Sequence, residues 1–528
     1  MAFTKHICML AAENDIVPGG KVGGIGDVVR DIPQALANDN TFVTVVMPAY
    51  GAFHELPDAV PVGAYNTFYR GVSERIELFE IYPKRDKNVR YLLLHHPLFA
   101  VGGKGSIYCD DDADQPFATD ANKFALFSMA ALSAITSHHI APIDVLHLHD
   151  WHAALALPLI RFDHAFEALR GIRTVFSIHN IALQGIRPFT GHESSFQAWY
   201  PHIHYDPMLL ADPRWAHCVN PVVGAIRMAD KVHTVSPTYA KEILQANDPA
   251  RGFHGGEGLE SDLQQAAQQH RLVGIINGTH YPATASDTAT TQAAQRLSWQ
   301  KFNEALAAEV LRLIAGRQQM RGIDYVTHQR ILQLCSQQRP EHILTSVGRL
   351  TEQKVALLLK ADSRGRIALD SLLDSLAGRG LFILLGSGDS ALERQCEQIA
   401  ARHENLLFIN QYSVKLSDLL FSNGDLFVMP SSFEPCGISQ MLAMKDGQPC
   451  LAHAVGGLRD TITDDVDGFL FSGNSMEMQV QSMLKRVDEV LHLRKENPAD
   501  FTRIAAAARK KRFDWSASAS RYQSELYS

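Results

Sequence analysis

The sequence predicts an α/β protein built from two doubly wound parallel sheets. In the first half, apolar runs of strand length recur at long spacing, and helical patterns such as residues 122–138 lie between them. Runs that are apolar throughout suit strands buried on both faces, and strands that alternate with helices favour parallel βαβ units. The series restarts at ILTSVG (343–348), which predicts a second sheet of the same kind.

Eleven runs carry this prediction. Those of the first half are VTVVM (43–47), YLLLHH (91–96), DVLHLHD (144–150), TVFSIHN (174–180), KVHTVS (231–236) and LVGIIN (272–277). Those of the second half are ILTSVG (343–348), LFILLGSG (381–388), LLFIN (406–410), DLFVMPS (425–431) and the start of LAHAVGG (451–457).

Length and composition agree with two large globular domains. The 528 residues are 46% hydrophobic and 20% charged, and a domain usually takes roughly 100–200 residues. The 49 Lys and Arg against 57 Asp and Glu give a formal net charge of -8. This charge argues against nucleic acid or an acidic membrane as the main partner, so any phosphate site must be local.

The chain shows no signal for export or membrane insertion. No run of about 18 apolar residues occurs, and the short apolar stretch at the N-terminus reaches acidic residues without a small-residue cleavage pattern. The seven cysteines are scattered without a C-x-x-C pair, which favours reduced thiols over a disulfide scaffold or a zinc site. We therefore expect a cytoplasmic protein.

A compositional break separates the two halves. Residues 279–300 are rich in Thr, Ala and Ser and contain almost no large apolar side chains, which is typical of a linker or surface excursion. We place the first domain at 1–277, the second at 278–512, and a final helix at 513–528 that packs back on the first domain.

A glycine-rich loop around Lys21 opens a helical pattern in PGGKVGGIGDVVRDIPQAL (18–36). Glycines let backbone amides approach an anion closely, the helix N-terminus adds partial positive charge, and the lysine adds a full one. The loop is not a Walker A sequence, and G-x-G-x-x-G is incomplete. It fits a phosphate-binding loop and an ordinary turn before a helix equally well.

Polar side chains follow two strands of the first half. They are His147, His149, Asp150 and His152 in one segment, and His179, Asn180 and Gln184 in the next. Imidazole and carboxylate suit zinc or iron, but polar residues at a strand edge without a metal fit as well. Alternation along the strand sends His147 and His149 to one face. Ligands bind at the carboxyl ends of such strands, so two polar ends in one domain favour a site.

Two cations follow the first strand of the second half. Arg349 and Lys354 stand five residues apart where a loop leads into a helix. Together they suit a diphosphate, although charges on a solvated helix face are a common alternative.

The segment LLGSGDSALE (384–393) places Gly386 and Gly388 between a strand and a helix. A dinucleotide site would need an acidic residue about 20 positions on, where Asn410 stands instead. A tight strand-to-helix turn is therefore the favoured interpretation. Further on, Glu434 lies in a Pro/Gly turn that leads to a helix start at 437–439, where free amides suit a phosphate.

With these motifs in view, the chain resembles the retaining glycosyltransferases of the bacterial glycogen synthase and plant starch synthase family. The collinear matches are KVGGIGDV, HLHDWHAAL, SIHNIALQG, HTVSPTYAKEI, GIINGT, SVGRLTEQK, LLGSGD, SFEPCGISQ, GGLRDTI, DGFLF and the terminal FDW. The resemblance implies the GT-B fold, in which two Rossmann-like domains face each other across a cleft and the last helix crosses back to the first domain.

The resemblance also assigns roles in the first domain. It implies that Lys21 and the amides of Gly23 and Gly24 face the sugar and its phosphates. Asp150 and His179 would line the glucosyl pocket, and the neighbouring Asn180 and Gln184 would bind substrate.

In the second domain it implies that Arg349 and Lys354 hold the donor diphosphate and that Glu434 contacts the sugar near the reacting centre. The further substrate-binding residues would be Tyr412, stacked on the nucleotide base, and Gly437, Ile438 and Ser439, whose helix N-terminus would meet phosphate. The expected catalytic set is Glu434, His179, Asp150, Arg349 and Lys354. No metal and no organic cofactor is implied.

Several loop residues depart from the family pattern. Val22 and Val455 replace threonines in the two glycine loops, Thr279-His280 replaces an acidic pattern, and His453-Ala454 replaces a pair of arginines. The acidic residue that often follows the tyrosine is missing after Tyr412. These changes bear on the donor, the rate or the acceptor and leave the charged residues in place.

The expected activity is transfer of glucose from ADP-glucose to the non-reducing 4-hydroxyl of an α-1,4-glucan with retention. One alternative is a glucan-binding or regulatory homologue without useful turnover, and another is the same fold with a different nucleotide-sugar or acceptor. A nucleotide-dependent oxidoreductase based on the Gly386 turn is a third.

Overall fold

The computed structural model of the protein describes residues 5–38, 40–82, 88–281, 296–317 and 319–528. The chain divides into two compact units. Unit 1 comprises Met1–Asn247, Gly255–His280 and Asp514–Ser528, and unit 2 comprises Asp248–His254 and Tyr281–Phe513. Most of the predicted linker, residues 282–295, lies outside the described residues.

Unit 1 is built on a sheet of nine described strands. The strands of the unit are β1 Lys5–Leu10, β2 Thr41–Pro48, β3 Ala59–Tyr69, β4 Val72–Ile81, β5 Val89–His95, β6 Val145–His149, β7 Arg173–Ile178, β8 Arg187–Pro188, β9 Cys218–Val219, β10 Lys231–Thr234 and β11 Leu272–Gly274. The large sheet runs β11-β10-β7-β6-β1-β2-β5-β4-β3, and β8 pairs with β9 separately. All neighbours in the large sheet are parallel except β5 with β4 and β4 with β3.

The helices of unit 1 connect these parallel strands. They are α1 Gly24–Leu36, α2 Ala118–Thr136, α3 Asp150–Ala154, α4 Ala156–Phe162, α5 Phe196–Trp199, α6 Pro221–Met228, α7 Pro237–Glu242 and α8 Glu260–Gln268. The chain moves from β1 to β2 on one side and returns to β6 on the other. The direction of winding therefore reverses between β1 and β6, where α/β sheets bind ligands.

Unit 2 holds a six-stranded parallel sheet in the order β14-β13-β12-β15-β16-β17. Its strands are β12 His342–Val347, β13 Gly380–Leu385, β14 Leu406–Ile409, β15 Leu426–Met429, β16 Cys450–His453 and β17 Phe469–Phe471. Numbered from β12, this is the 3-2-1-4-5-6 order of a Rossmann fold, with its reversal between β12 and β15. The predicted class of two doubly wound sheets is confirmed.

Two apolar cores cover the faces of this second sheet. Leu344 and Phe382 belong to one core, and their chain neighbours Ile343 and Ile383 belong to the other. Successive side chains of a strand point to opposite faces, so both faces are buried and the strands read as continuous apolar runs.

The helices of unit 2 are α9 Trp299–Ala315, α10 Gly322–Leu334, α11 Glu352–Leu359, α12 Ala368–Ser375, α13 Ser390–Arg402, α14 Val414–Asn423, α15 Ser439–Lys445, α16 Gly456–Thr461, α17 Met476–Glu496 and α18 Pro498–Lys510.

The last helix, α19 (Trp515–Arg521), belongs to unit 1, as predicted. The indole Nε1 of Trp515 donates to Asp31 Oδ2 on α1 over 3.1 Å. A Cβ at Gly278 would lie 2.7 Å from the Trp515 ring, so a glycine is required where the two segments meet. Among the helices in the described ranges, none is long and apolar enough to cross a membrane.

Candidate functional site

The glycine loop of unit 1 connects β1 to α1 and is folded around Glu13. The Glu13 carboxylate accepts hydrogen bonds from the amides of Val22 (2.7 Å) and Gly23 (2.6 Å) and from the Tyr108 hydroxyl (2.6 Å). The Gly23 amide, expected to face phosphate, is therefore already bonded within the protein. Gly24 stands in the open, with no atom within 4 Å of the position that a Cβ would take.

Lys21 is held at this loop by two carboxylates. Its Nζ lies 2.6 Å from Asp27 Oδ1 and 3.7 Å from Asp15 Oδ2. Burial raises the pKa of Asp27, and the neighbouring Lys21 partly offsets that shift. An incoming anion would therefore share the ammonium group with Asp27.

Asp150 follows the end of β6, and His179 follows the end of β7. The two strands are neighbours, with His149 of β6 in register with Ser177 of β7. Asp150 is buried and has a φ of 53°, in the left-handed region that non-glycine residues rarely adopt. Its Oδ1 accepts the His179 amide over 2.7 Å, and burial raises the pKa of Asp150 to about 8. Strain and burial thus concentrate at the residue predicted for the sugar pocket.

His179 is bonded to a second histidine. His149 Nδ1 lies 2.9 Å from His179 Nε2, and burial lowers the pKa of His179 to about 4. His147 stacks on His149 with ring centroids 4.4 Å apart, which confirms that both lie on one face, and its Nδ1 is 2.7 Å from the Tyr527 hydroxyl. At neutral pH these imidazoles are uncharged and act as hydrogen-bonding groups.

The metal interpretation of these histidines gains no support from the geometry. Within the described ranges, no group of three or more His, Cys, Asp and Glu side chains is arranged to hold a metal ion. His149 and His179 instead use ring nitrogens to bond each other.

Asn180 and Gln184 make their polar contacts inside the protein. Asn180 Oδ1 accepts the Ala182 amide over 3.1 Å. The Gln184 amide donates to the carbonyls of Ile181 and Glu257, and its Oε1 accepts from Arg214 (2.7 Å) and Asn220 (2.8 Å). All the hydrogen-bonding capacity of Gln184 is therefore used, and its geometry is that of a support for the loop rather than a ligand.

In unit 2, Lys354 and Glu434 are joined across the reversal point of the sheet. Lys354 follows β12, Glu434 follows β15, and Lys354 Nζ donates to Glu434 Oε2. Ser431 Oγ donates to the same oxygen over 3.1 Å. The two loops are further connected by Gln353, whose Nε2 donates to the Phe433 carbonyl over 3.0 Å.

Unlike Lys354, Arg349 has no partner for its side chain among the residues that the structure describes. The side chain is exposed, and its guanidinium makes no hydrogen bond or ion pair in the described chain. A guanidinium with all five donors available is suited to a diphosphate.

The Gly386 turn packs against the loop that carries Arg349. Leu350 donates its amide to the Ser387 carbonyl (2.9 Å), and Asp389 donates to the Leu350 carbonyl (2.8 Å). A Cβ at Gly386 would lie 1.9 Å from the Gly348 carbonyl oxygen. The glycine is therefore explained by backbone packing, in agreement with the tight-turn interpretation.

The helix start expected to meet phosphate is partly exposed. Gly437 has a φ of 77°, and neither its amide nor that of Ile438 donates to an acceptor in the described chain, while Ser439 opens α15. Glu434 is tied to the next loop because its carbonyl accepts the Gly457 amide over 2.9 Å.

Tyr412 is 53% exposed. The residue before it, Gln411, lines a pocket of about 500 Å³ together with Arg317, Ser387, Glu393 and Asn410. An exposed aromatic ring leaves a face open on which a base can stack.

Sequence reasoning did not find two of the residues that organise these sites. Glu13 binds the glycine loop, and the acidic residue just before the loop was the available signal. Gln353 connects the loops after β12 and β15, and no local pattern marks a contact across 80 residues.

The family departures have defined surroundings. Val22 is 43% exposed, and His453 is buried and stacks on Phe471 with centroids 5.2 Å apart. His280 Nε2 lies 2.9 Å from Asp31 Oδ1.

Comparisons with known proteins agree with the two units. The starch synthase catalytic domain family matches residues 6–265, and the glycosyl transferases group 1 family matches residues 336–508. The chain is 31% identical to a glycogen synthase of Lactiplantibacillus plantarum over 98% of each chain. It is 29% identical to that of Streptococcus agalactiae over 99% of each.

A solved structure is also similar over the full length. The catalytic domain of starch synthase IV from Arabidopsis thaliana, bound to ADP and acarbose, matches with a TM-score of 0.77 and 25% identity. The match covers 100% of this chain and 99% of that one.

Proposed function

We propose that this chain, which belongs to the glycogen and starch synthase family of glucosyltransferases, takes glucose from ADP-glucose and adds it to the non-reducing 4-hydroxyl of an α-1,4-glucan. Membership of the family and the glucosyltransferase class rest on the matches to glycogen synthases along the whole chain. The choice of ADP-glucose is supported by the similar starch synthase IV structure, which was solved with ADP.

The observation that carries the proposal is the placement of Arg349, Lys354 and Glu434 at the reversal point of the unit 2 sheet. In the proposed reaction the bond from glucose C1 to the diphosphate oxygen breaks, and its electron pair leaves with the diphosphate. Arg349 and Lys354 stabilise that charge, as preorganised electrostatic groups do. The Glu434 carboxylate faces the positive charge that develops on the sugar.

The second bond forms on the face that the diphosphate leaves, so the anomeric configuration is retained. The acceptor 4-oxygen bonds to C1, and its proton passes to the departing phosphate oxygen. When the nucleotide-sugar binds, Lys354 must divide its N–H groups between Glu434 and the phosphate. An ammonium group has three N–H groups and can do so.

In unit 1, neutral His179 and buried Asp150 act as hydrogen-bonding groups for the glucosyl hydroxyls. Their pKa shifts favour the uncharged forms, since burial lowers the pKa of His179 and raises that of Asp150. Uncharged groups orient a neutral sugar without the desolvation cost of a buried charge.

A specific observation favours one alternative, a glucan-binding homologue with little turnover. The Gly23 amide, which the family resemblance directs to the donor, is occupied by Glu13. This alternative predicts glucan binding without transfer from any nucleotide-sugar.

A donor screen separates these possibilities. Purified protein is incubated with labelled ADP-, UDP- and GDP-glucose, with glycogen or maltooligosaccharides as acceptor. We expect transfer with ADP-glucose to exceed that with the other donors. Preference for UDP-glucose or GDP-glucose would refute the proposed donor, and absence of transfer from all three would favour the glucan-binding alternative.

We also propose that the protein works in the cytoplasm. All seven cysteines have free thiols, as is usual in a reducing compartment. Recovery of the native protein in the periplasmic or extracellular fraction of its cell would contradict this location.

A further inference from the structure

One tryptophan of unit 1 differs from the others in its exposure. The chain has five tryptophans; Trp151, Trp199 and Trp515 are buried, Trp299 is half-buried, and Trp215 is 47% exposed. A large ring left in water lacks the packing that explains the buried ones.

The indole of Trp215 lies on a guanidinium that is itself fixed. Arg214 Cζ is 4.5 Å from the Trp215 ring centroid. Arg214 donates to both carboxylate oxygens of Asp212 (3.1 and 2.9 Å), to Gln184 Oε1 (2.7 Å) and to the Glu257 carbonyl (2.6 Å). These four bonds hold the guanidinium, and stacking on it orients the ring.

The side chains that bind Arg214 are themselves buried and hydrogen-bonded. Asp212 and Gln184 are buried, and Asn220 Nδ2 donates to both of them over 2.8 Å. Burial alone would raise the pKa of Asp212, but the hydrogen bonds from Arg214 and Asn220 outweigh it and lower that pKa. The carboxylate under the platform is therefore charged at neutral pH and keeps Arg214 in place.

We propose that Trp215 and Arg214 form a stacking site for glucose units of the α-glucan acceptor. The inference rests on the proposed function, because that function supplies the glucan. It adds a binding site that the expected catalytic and substrate-binding residues do not include. We refer to Trp215 and Arg214 together as the Trp215 platform.

The chemistry of the platform suits a sugar. A pyranose ring presents C–H groups on its face, and these pack against the open side of an indole. Within the described chain, four of the five N–H groups of Arg214 are used, which leaves one hydrogen on Nη1 for a sugar hydroxyl. Because the ring is already fixed, little conformational entropy is lost when the ligand binds.

The platform also has a connection to the expected sugar pocket. Gln184 bonds to Arg214 and lies in the loop that begins at His179. A glucan chain is long and made of repeated units, so contact with one unit at the platform and another at the pocket raises the effective concentration of the acceptor end.

The first measurement is tryptophan fluorescence with a collisional quencher. In the full-length protein, iodide should quench mainly Trp215, and saturating maltoheptaose should protect it. Trp215→Phe should remove the protected component, while Trp299→Phe, a matched loss of one tryptophan, should leave it. Unchanged protection in Trp215→Phe would overturn the proposal.

The second measurement is glycogen affinity, determined by electrophoresis in gels that contain glycogen. Trp215→Ala should raise the apparent Kd about tenfold, as truncation of a central binding tryptophan commonly does. The control is Met208→Ala, which removes another exposed apolar side chain of unit 1, one that is 78% exposed. Equal affinity of Trp215→Ala and wild type, or equal losses in both variants, would overturn the platform.

The two proposals fail in different ways. If Trp215→Ala binds glycogen more weakly than wild type and the wild-type protein transfers no glucose, the platform is supported and the proposed transferase reaction is refuted. If wild type transfers glucose and Trp215→Ala binds glycogen as tightly as wild type does, the platform is refuted and the reaction is supported.

Discussion

Lys354 Nζ donates a hydrogen bond to Glu434 Oε2, so the cation expected at the leaving diphosphate and the carboxylate expected at the sugar are bonded to each other. Glu434 is nearly buried, and its other described side-chain donor is Ser431. Each of the two residues therefore orients the other, and a donor that enters between them meets a preformed pair of opposite charges. The Arg349 side chain has no such partner in the described chain, so replacing Arg349 and replacing Lys354 can be compared.

The first prediction contrasts the two cations. Lys354→Ala and Arg349→Ala should each lower kcat/KM by about 10²–10³, since each removes a charge-assisted bond to the diphosphate. Only Lys354→Ala leaves a buried carboxylate without its cation, so its stability should fall by about 1–3 kcal/mol. Arg349→Ala should stay within about 0.5 kcal/mol of wild type.

Steady-state kinetics and thermal unfolding of the purified variants measure these effects. Wild-type kcat/KM in both variants would remove the diphosphate assignment. Equal loss of stability in the two would mean that the Lys354 pair does not support the loop.

The second prediction concerns the pH dependence of stability through Asp150. Burial raises its pKa to about 8 from an ordinary 3.8, so the folded state binds the proton more tightly than the unfolded state. This contribution is fully present below pH 3.8 and is lost as pH rises toward 8, with a slope of at most about 1.4 kcal/mol per pH unit.

Asp150→Asn keeps the oxygen that accepts the His179 amide and removes the titration. The melting temperature of the variant minus that of wild type should therefore increase between pH 5 and pH 8. A difference that stays constant over this range would show that Asp150 is ionised normally in the folded protein.

The third prediction concerns His149 as a positioning residue for His179. His149 Nε2 is buried without a partner in the described chain. A protonated Nε2 would leave a buried N–H without an acceptor, which costs more than an unprotonated nitrogen without a donor. We therefore expect the proton on His149 Nδ1, donated to His179 Nε2. His179 then offers Nδ1–H to the sugar.

At position 149, an asparagine amide places an N–H group near the position of the histidine Nδ1, whereas a glutamine amide places it near the position of Nε2. His149→Asn should stay within about tenfold of wild-type kcat/KM, and His149→Gln should lose more than His149→Asn. Equal activity of the Asn and Gln variants, with matched melting temperatures, would exclude this role.

The fourth prediction concerns the two valines that replace threonines. Val22 is 43% exposed, so a threonine hydroxyl there stays hydrated and Val22→Thr should change stability by less than about 0.5 kcal/mol. Since Thr279-His280 and His453-Ala454 also change, we expect a remodelled pocket and no gain in ADP-glucose kcat/KM from Val22→Thr with Val455→Thr. A clear gain in the double variant would show that the hydroxyls bond the donor.

The sheets were predictable from the sequence where strands are buried on both faces, as β6 and β12 are. The strands β3 and β4 were missed because they form an antiparallel edge hairpin with alternating exposure. The central strand β1 was also missed, because its sequence of only six residues, KHICML, lies at the N-terminus, where a short apolar run also resembles part of an export signal.

At the site, the local patterns identified the residues at the strand ends and not their partners. The sequence shows that an acidic residue, Glu13, precedes the glycine loop, but not that its carboxylate accepts the Gly23 amide, because that bond depends on the fold of the loop. The Lys354 bond to Glu434 joins residues 80 positions apart, and only the order of β12 and β15 in the sheet brings them together.

The most direct test of the proposed reaction follows labelled glucose from ADP-glucose into glycogen, in wild type and in Glu434→Gln. The substitution keeps the shape of the side chain and removes its negative charge, so kcat should fall at least about 10²-fold. With wild type we expect incorporated label that β-amylase releases as maltose, because that enzyme removes α-1,4-linked units from non-reducing ends. No incorporation by wild type, label resistant to β-amylase, or an unchanged kcat in Glu434→Gln would contradict the account.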